Sequence, residues 1–184
     1  MTVRRALSTL LLAAAAVLLL PAAIASAHVT LQPPSVPKGS SDVIVGFAVP
    51  NESTTGAATT KIEIDFPITS PMLGVKAEAI AGWNAAVQTV KLPKPITTDD
   101  GQITEAVSQV TWATTGDGIG PDQYMVFNVL VGTVPSNAKQ LVFKALQTYS
   151  DGTVVSWIDP IVKGTPAPDH PTPILKLTKK QPGS

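Results

Sequence analysis

The stretch Lys61-Ile62-Glu63-Ile64-Asp65-Phe66 decides the fold. Three apolar side chains alternate with three charged ones, and only an extended strand puts such a set on two opposite faces, one dry and one wet. A helix of the same residues would scatter the charges around its circumference. The same period of two recurs outward in both directions. On the N-terminal side Val43, Val45, Phe47 and Val49 alternate up to Pro50-Asn51, and Thr30-Leu31 forms a shorter piece stopped by Pro33-Pro34. On the C-terminal side Val75, Ala77 and Ala79 alternate with Lys76 and Glu78. Trp83–Leu92 and Ile103–Ala113 read as two strands around a turn region from Pro93 to Gly101. Tyr124–Val131 is rich in β-branched residues, and Leu141, Phe143 and Ala145 alternate again. Thr153–Ile158 follows the hairpin dipeptide Asp151-Gly152, and Ile174–Leu177 closes the series. Nine or ten short strands at this spacing, with no capped 3.6-residue period, predict an all-β protein: a single antiparallel β-sandwich.

Composition removes several functional classes. The 184 residues contain no cysteine, so there is no disulfide framework, thiolate zinc site or cysteine nucleophile. Lysine plus arginine and aspartate plus glutamate both number 13, and no basic run is present, which argues against a nucleic-acid partner. No Gly-x-Ser-x-Gly elbow points to a hydrolase.

The first 27 residues read as a targeting segment. Arg4 and Arg5 precede an apolar run from Leu10 to Leu20, Pro21 breaks it, and Ala25-Ser26-Ala27 fits a small-x-small cleavage pattern. The run is short for a membrane span. A secretory signal peptide over 1–27 is expected, and with it a secreted or extracytoplasmic location. Residues 28–163 then form the β-sandwich domain, and 164–184 a proline-rich C-terminal tail with a final edge strand. The mature chain keeps 11 lysines against 13 acids, a side-chain balance of −2, and no second stretch reaches membrane-spanning length.

Cleavage after Ala27 would make His28 the first residue. An N-terminal histidine carries a free α-amine and an imidazole Nδ1, two nitrogens that close a chelate ring on one metal ion. Before cleavage the same backbone nitrogen is an amide whose lone pair is delocalised into the peptide bond, and it is a poor ligand. Amine and imidazole nitrogens suit Cu(II), which tops the divalent affinity series. Zinc would call for more histidine or cysteine, and Cu(I) for a thiolate or thioether cluster that Met72 and Met125 do not form.

The segment His28-Val29-Thr30-Leu31-Gln32-Pro33 resembles the mature start of the YcnI-like copper-binding family, formerly a domain of unknown function. Val49-Pro50-Asn51-Glu52-Ser53 is similar to it too. So are Phe143–Tyr149 with the following Ser150–Trp157, and His170-Pro171-Thr172-Pro173-Ile174-Leu175. Together these pieces cover the mature chain. The resemblance implies an immunoglobulin-like sandwich and a monohistidine copper brace used for copper handling: storage, delivery or buffering. It implies that His28 supplies amine and imidazole nitrogens, that Glu52 supplies a carboxylate oxygen, and that Trp157 lies close over the metal. It also implies a copper-handling partner protein, and often a C-terminal membrane anchor, which the final Lys179–Ser184 stretch does not supply.

Each residue also has an ordinary reading. Glu52 alone would be a solvated loop carboxylate. Trp157, Trp83 and Trp112 would be core residues. His170, between Asp169 and Pro171, reads as a surface or strand-capping residue rather than a ligand. Two other functions are weighed against copper handling. A copper-dependent polysaccharide oxidase would add a second histidine and an open oxygen position. An adhesion or interaction module would make His28 incidental.

Overall fold

A computed structural model describes residues 28–99 and 101–180. The expected signal peptide, residues 1–27, lies outside them, as do the last four residues of the tail. The described residues form twelve strands and no helix. In chain order they are β1 (Thr30–Gln32), β2 (Ser35–Pro37), β3 (Ser41–Pro50), β4 (Thr59–Asp65), β5 (Lys76–Ala77) and β6 (Trp83–Thr98). There follow β7 (Gly101–Thr114), β8 (Tyr124–Thr133), β9 (Gln140–Val142), β10 (Lys144–Tyr149), β11 (Val154–Trp157) and β12 (Ile174–Thr178). Among the described residues no helix is long and apolar enough to cross a membrane.

Two antiparallel sheets make the sandwich, ordered β1-β3-β8-β5 and β11-β10-β4-β7-β6. The deciding stretch behaves as its pattern requires. Ile62 and Ile64 of β4 are fully buried, while Lys61 and Glu63 stay half-exposed on the other face and pair at 2.6 Å. Phe47 and Phe127 from one sheet meet the other through Trp112, whose ring lies 5.3 Å from that of Phe127. Trp83 packs at 4.9 Å on the same Phe127, so Trp83 and Trp112 are core residues, as read from the sequence. Their burial removes several hundred Å² of apolar surface from water, the main favourable term in such a fold.

The pattern in β3 departs from simple alternation. From Val45 to Val49 every residue is buried, on both faces. Gly46 explains the outer face: a Cβ there would collide with the side chains of Asn128 and Val126, which cover it from β8.

A third, small sheet, ordered β2-β12-β9, was not foreseen. β12 runs parallel to β2 and antiparallel to β9. The final strand therefore lies between two neighbours instead of at an edge, because Leu175 and Leu177 on it are buried in the core. β6 also runs on through the expected turn region to Thr98. Its pairing with β7 is interrupted between Lys91 and Ile96, where Pro93 and Pro95 have no N–H to offer, and resumes at Ile96↔Ile103.

Candidate metal centre

His28 lies two residues before Thr30, the start of β1. Val29 and Leu31 are buried, and Leu31 pairs with Phe47 of β3, so the segment is pulled onto the sandwich and His28 is half-buried. Its ring lies 5.9 Å from that of Trp157, at 80°. Trp157 ends β11 and is 1% exposed.

One buried residue holds this indole in place. Gln147 of β10 accepts a hydrogen bond from Trp157 Nε1 at 3.1 Å and donates through Nε2 to the Pro50 carbonyl at 2.8 Å and to Thr59 Oγ1 at 2.7 Å. Gln147 thereby ties the indole to the end of β3, where the Pro-Asn-Glu turn begins. Asn51 anchors that turn. Its Nδ2 donates to the carbonyls of Ala57 and Ile119, each at 2.8 Å, and its Oδ1 accepts from Ser53 N–H at 2.8 Å. Asn51 is buried and fully engaged, and the next side chain, Glu52, is exposed.

Glu52 lines a cavity of about 210 Å³ with Trp157, Tyr149, Asp151 and His170. The Glu52 N–H donates to the Tyr149 hydroxyl at 3.4 Å. Burial pushes the Tyr149 phenol above its ordinary range, the nearby Glu52 carboxylate adds to that, and the hydrogen bond from the Glu52 backbone partly opposes it. The Tyr149 phenol is thus held further from its anionic form than an ordinary tyrosine. Asp151 is held below the usual carboxylate range, first by the Thr153 backbone N–H, then by the Thr153 and Thr55 hydroxyls. Its Oδ1 accepts from Thr153 N–H at 2.9 Å and its Oδ2 from the Thr55 hydroxyl at 3.0 Å.

The expected site residues are therefore brought together in part. Glu52 and Trp157 share one cavity, and His28 touches Trp157. His28 itself opens onto an adjoining space of about 280 Å³, beside Ile161, Pro171 and Ile174. Among the described residues no three His, Cys, Asp or Glu side chains converge on one point. The donor types present, an imidazole and a carboxylate around an indole whose own N–H is engaged, are ones that copper accepts, and they fall short of the four protein ligands of a closed zinc site.

Sequence reasoning missed two members of this cluster. His170 is exposed, as read from the sequence, but its ring also lies 5.2 Å from that of Trp157, a contact that the sequence did not reveal. Gln147 lies two residues beyond Ala145 in an alternating strand, and a polar residue at an inward position was the signal that could have found it.

Fold and site together define an immunoglobulin-like β-sandwich with a His-Trp-Glu cluster at one end. The chain belongs to the family described as Domain of unknown function (DUF1775), whose model matches residues 28–177. A relative from Bacillus subtilis (strain 168), named copper-binding protein CutI, is 29% identical over 154 residues. The match takes in 84% of this chain and spans 64% of that protein's length. Among solved structures, an uncharacterized protein from Nocardia farcinica with an immunoglobulin-like fold is 34% identical. It superimposes with a TM-score of 0.66 over 83% of this chain and 99% of its own.

Proposed function

We propose that the mature chain is a secreted copper-handling protein that binds Cu(II) as cargo at a monohistidine brace. The observation that carries this reading is the indole of Trp157, fixed by Gln147, with the His28 ring against it and Glu52 on the same cavity. The copper-binding name of the CutI relative supports the choice of metal. Removal of residues 1–27 outside the cytoplasm turns the His28 amide into an amine. His28 then offers two nitrogens, Glu52 an oxygen, and Trp157 an apolar cover that limits access by water. The role is coordination for storage, delivery or buffering, not catalysis. Binding requires a deprotonated amine and a neutral imidazole, so it weakens on acidification. An ordinary α-amine pKa of about 7.7–8.0 already sets a proton against the metal near neutrality.

The test is a Cu(II) titration with electron paramagnetic resonance on protein beginning at His28. It is run beside Glu52→Ala and a variant with one extra residue ahead of His28. Stoichiometric binding with nitrogen hyperfine structure, altered in Glu52→Ala and lost in the extended form, is the expected outcome. Equal binding by all three would remove the brace.

A further inference from the structure

We infer that the free edge of β6 pairs with β6 of a second copy of this chain, joining the two five-stranded sheets into one continuous sheet. The inference is independent of the copper reading. An outer strand carries backbone N–H and C=O groups without ladder partners, and proteins ordinarily blunt such edges with short strands, charges, prolines or bulges. The other outer strands of the two sandwich sheets follow that rule: β1 has three residues, β5 two and β11 four. β6 has sixteen. Its second half is guarded by Lys91, Pro93, Lys94 and Pro95, but from Trp83 to Val90 there is neither a charge nor a proline. The register shift between Gln88 and Thr89 places the extra residue, Ser108, on β7, so β6 keeps its own alternation there. Every residue from Asn84 to Thr89 is exposed.

The ladder sets the direction of the open groups. Trp83 stands opposite Thr114, and the Thr115 N–H donates to the Gly82 carbonyl at 2.8 Å. Hydrogen-bonded residues alternate in an antiparallel pair, so Asn84, Ala86 and Gln88 bond to β7, while Ala85, Val87 and Thr89 turn their N–H and C=O groups outward. Trp83, whose N–H donates to the Ile80 carbonyl at 3.1 Å, fits the same parity. The side chains of Ala85 and Val87 share the inward face with Trp83. Phe127 covers Trp83, but the facing sheet ends in the two-residue β5, and Val87 is left 44% exposed. Pairing about a two-fold axis at Val87 sets it against the partner's Val87 and sets Ala85 against the partner's Thr89, through the outward groups of each. The two exposed valines then meet, and the Lys91 residues of the two copies stay roughly 27 Å apart along the strands. A partner for this edge must offer an uncharged edge of matching length, and among the described residues of the sandwich sheets only β6 has one. β11, which ends in Trp157, is the opposite outer strand of the same sheet, about 19 Å away at the usual strand spacing, so the His-Trp-Glu cluster stays open in both copies.

The experiment is analytical ultracentrifugation of metal-free protein from His28 to Ser184, over a concentration series up to about 1 mM, beside Val87→Lys and Val87→Glu. The wild type is expected to show a monomer–dimer equilibrium. Each variant alone sets like charges directly opposite one another at the axis and should associate about tenfold more weakly. Mixed in equal amounts, the two variants set Lys against Glu and should form a heterodimer. Their melting curves should match the wild type, because Val87 is exposed on an outer strand. Amide exchange of the wild type reads the same contact without a substitution: the Ala85, Val87 and Thr89 amides should be protected at high concentration and exchange freely on dilution. A wild type that stays monomeric up to about 1 mM, with no concentration-dependent protection of these amides, overturns the inference. A dimer that survives unchanged in both variants also overturns it, since another surface would then hold the copies together. So does a mixture of the variants that does not associate, since the two valines would then not face each other. The copper titration stands or falls separately from all of these results.

Discussion

At the scale of single residues, the candidate centre depends on Gln147 more than on any group that could touch metal. Its amide makes three hydrogen bonds in a fully buried position, joining Trp157, Pro50 and Thr59. A buried polar group that loses its partner costs about 1–3 kcal/mol. Gln147→Leu strands both the Trp157 N–H and the Pro50 carbonyl, so it is expected to cost about 2–4 kcal/mol in urea denaturation. A loss under about 1 kcal/mol would mean that packing alone holds the indole. The three tryptophans allow a sharper comparison. Trp112 is as buried as Trp157, yet among the described residues its Nε1 has no hydrogen-bond partner. Replacement by phenylalanine removes similar volume at both positions. At Trp157 it also strands the Gln147 oxygen, while at Trp112 it removes a buried N–H without a protein acceptor. Trp157→Phe should therefore cost about 1–2 kcal/mol more than Trp112→Phe, read from paired urea midpoints. Equal costs would show that the Trp157–Gln147 bond gives no net stability.

At the scale of elements, the β10–β11 hairpin and the loop of residues 51–57 form one unit. Ser150 N–H donates to the Ala58 carbonyl at 2.8 Å, Ala58 N–H to Ser150 Oγ at 3.1 Å, and Thr55 to Asp151 at 3.0 Å. Asp151 has a depressed pKa in the folded state, so its carboxylate stabilises the fold above the unfolded value of about 3.9. That contribution is lost as pH falls from there through the folded pKa. The Thr153 amide resonance is expected to shift over that window, and the shift should disappear in Asp151→Ala. Tyr149 has the opposite sense. Its raised pKa favours the neutral phenol, a contribution present below about pH 10 and lost as pH rises through the folded value. Legibility from sequence divides along the same lines. β4 could be read because apolar and charged residues alternate along it, and β8 because it is a long run rich in β-branched residues. β2 could not: Ser35-Val36-Pro37 has one buried residue and pairs in parallel with a strand far along the chain. The continuous alternation at Leu141, Phe143 and Ala145 hid a break, where the Phe143 N–H turns to the Pro173 carbonyl as the chain passes from the small sheet to the large one. Glu52 and Trp157 were legible through motif resemblance. The approach of His170 to Trp157 was not, because it follows from the Asp159↔Pro171 bridge between segments that the sequence pattern does not pair.

At the scale of the whole molecule, the site is where the two ends of the domain meet. His28 precedes β1 and His170 precedes β12, and the space beside His28 is walled by Leu31 and Pro34 from one end and Pro171 to Ile174 from the other. The segment after residue 163 looked like a proline-rich tail, yet it carries Leu175 at 0% exposure and Leu177 at 7%. It also covers Leu141 and Val36, both buried. Full burial of an aliphatic side chain is worth about 1.5–3 kcal/mol, so the two leucines alone contribute roughly 3–6 kcal/mol. A domain of this size has about 5–15 kcal/mol in total. A chain ending at Lys163 should therefore lose cooperative unfolding, or melt lower by on the order of 10–20 °C. Leu175→Ala in the full chain should lose about 2–5 kcal/mol by the same argument, with the cavity added. If the truncated chain melted like the complete one, β12 would be an accessory strand, and His170 would lose the support that sets it against Trp157. If it unfolds as expected, a site at this end can form only after the C-terminal strand has docked, so that metal binding there reports on the completed fold.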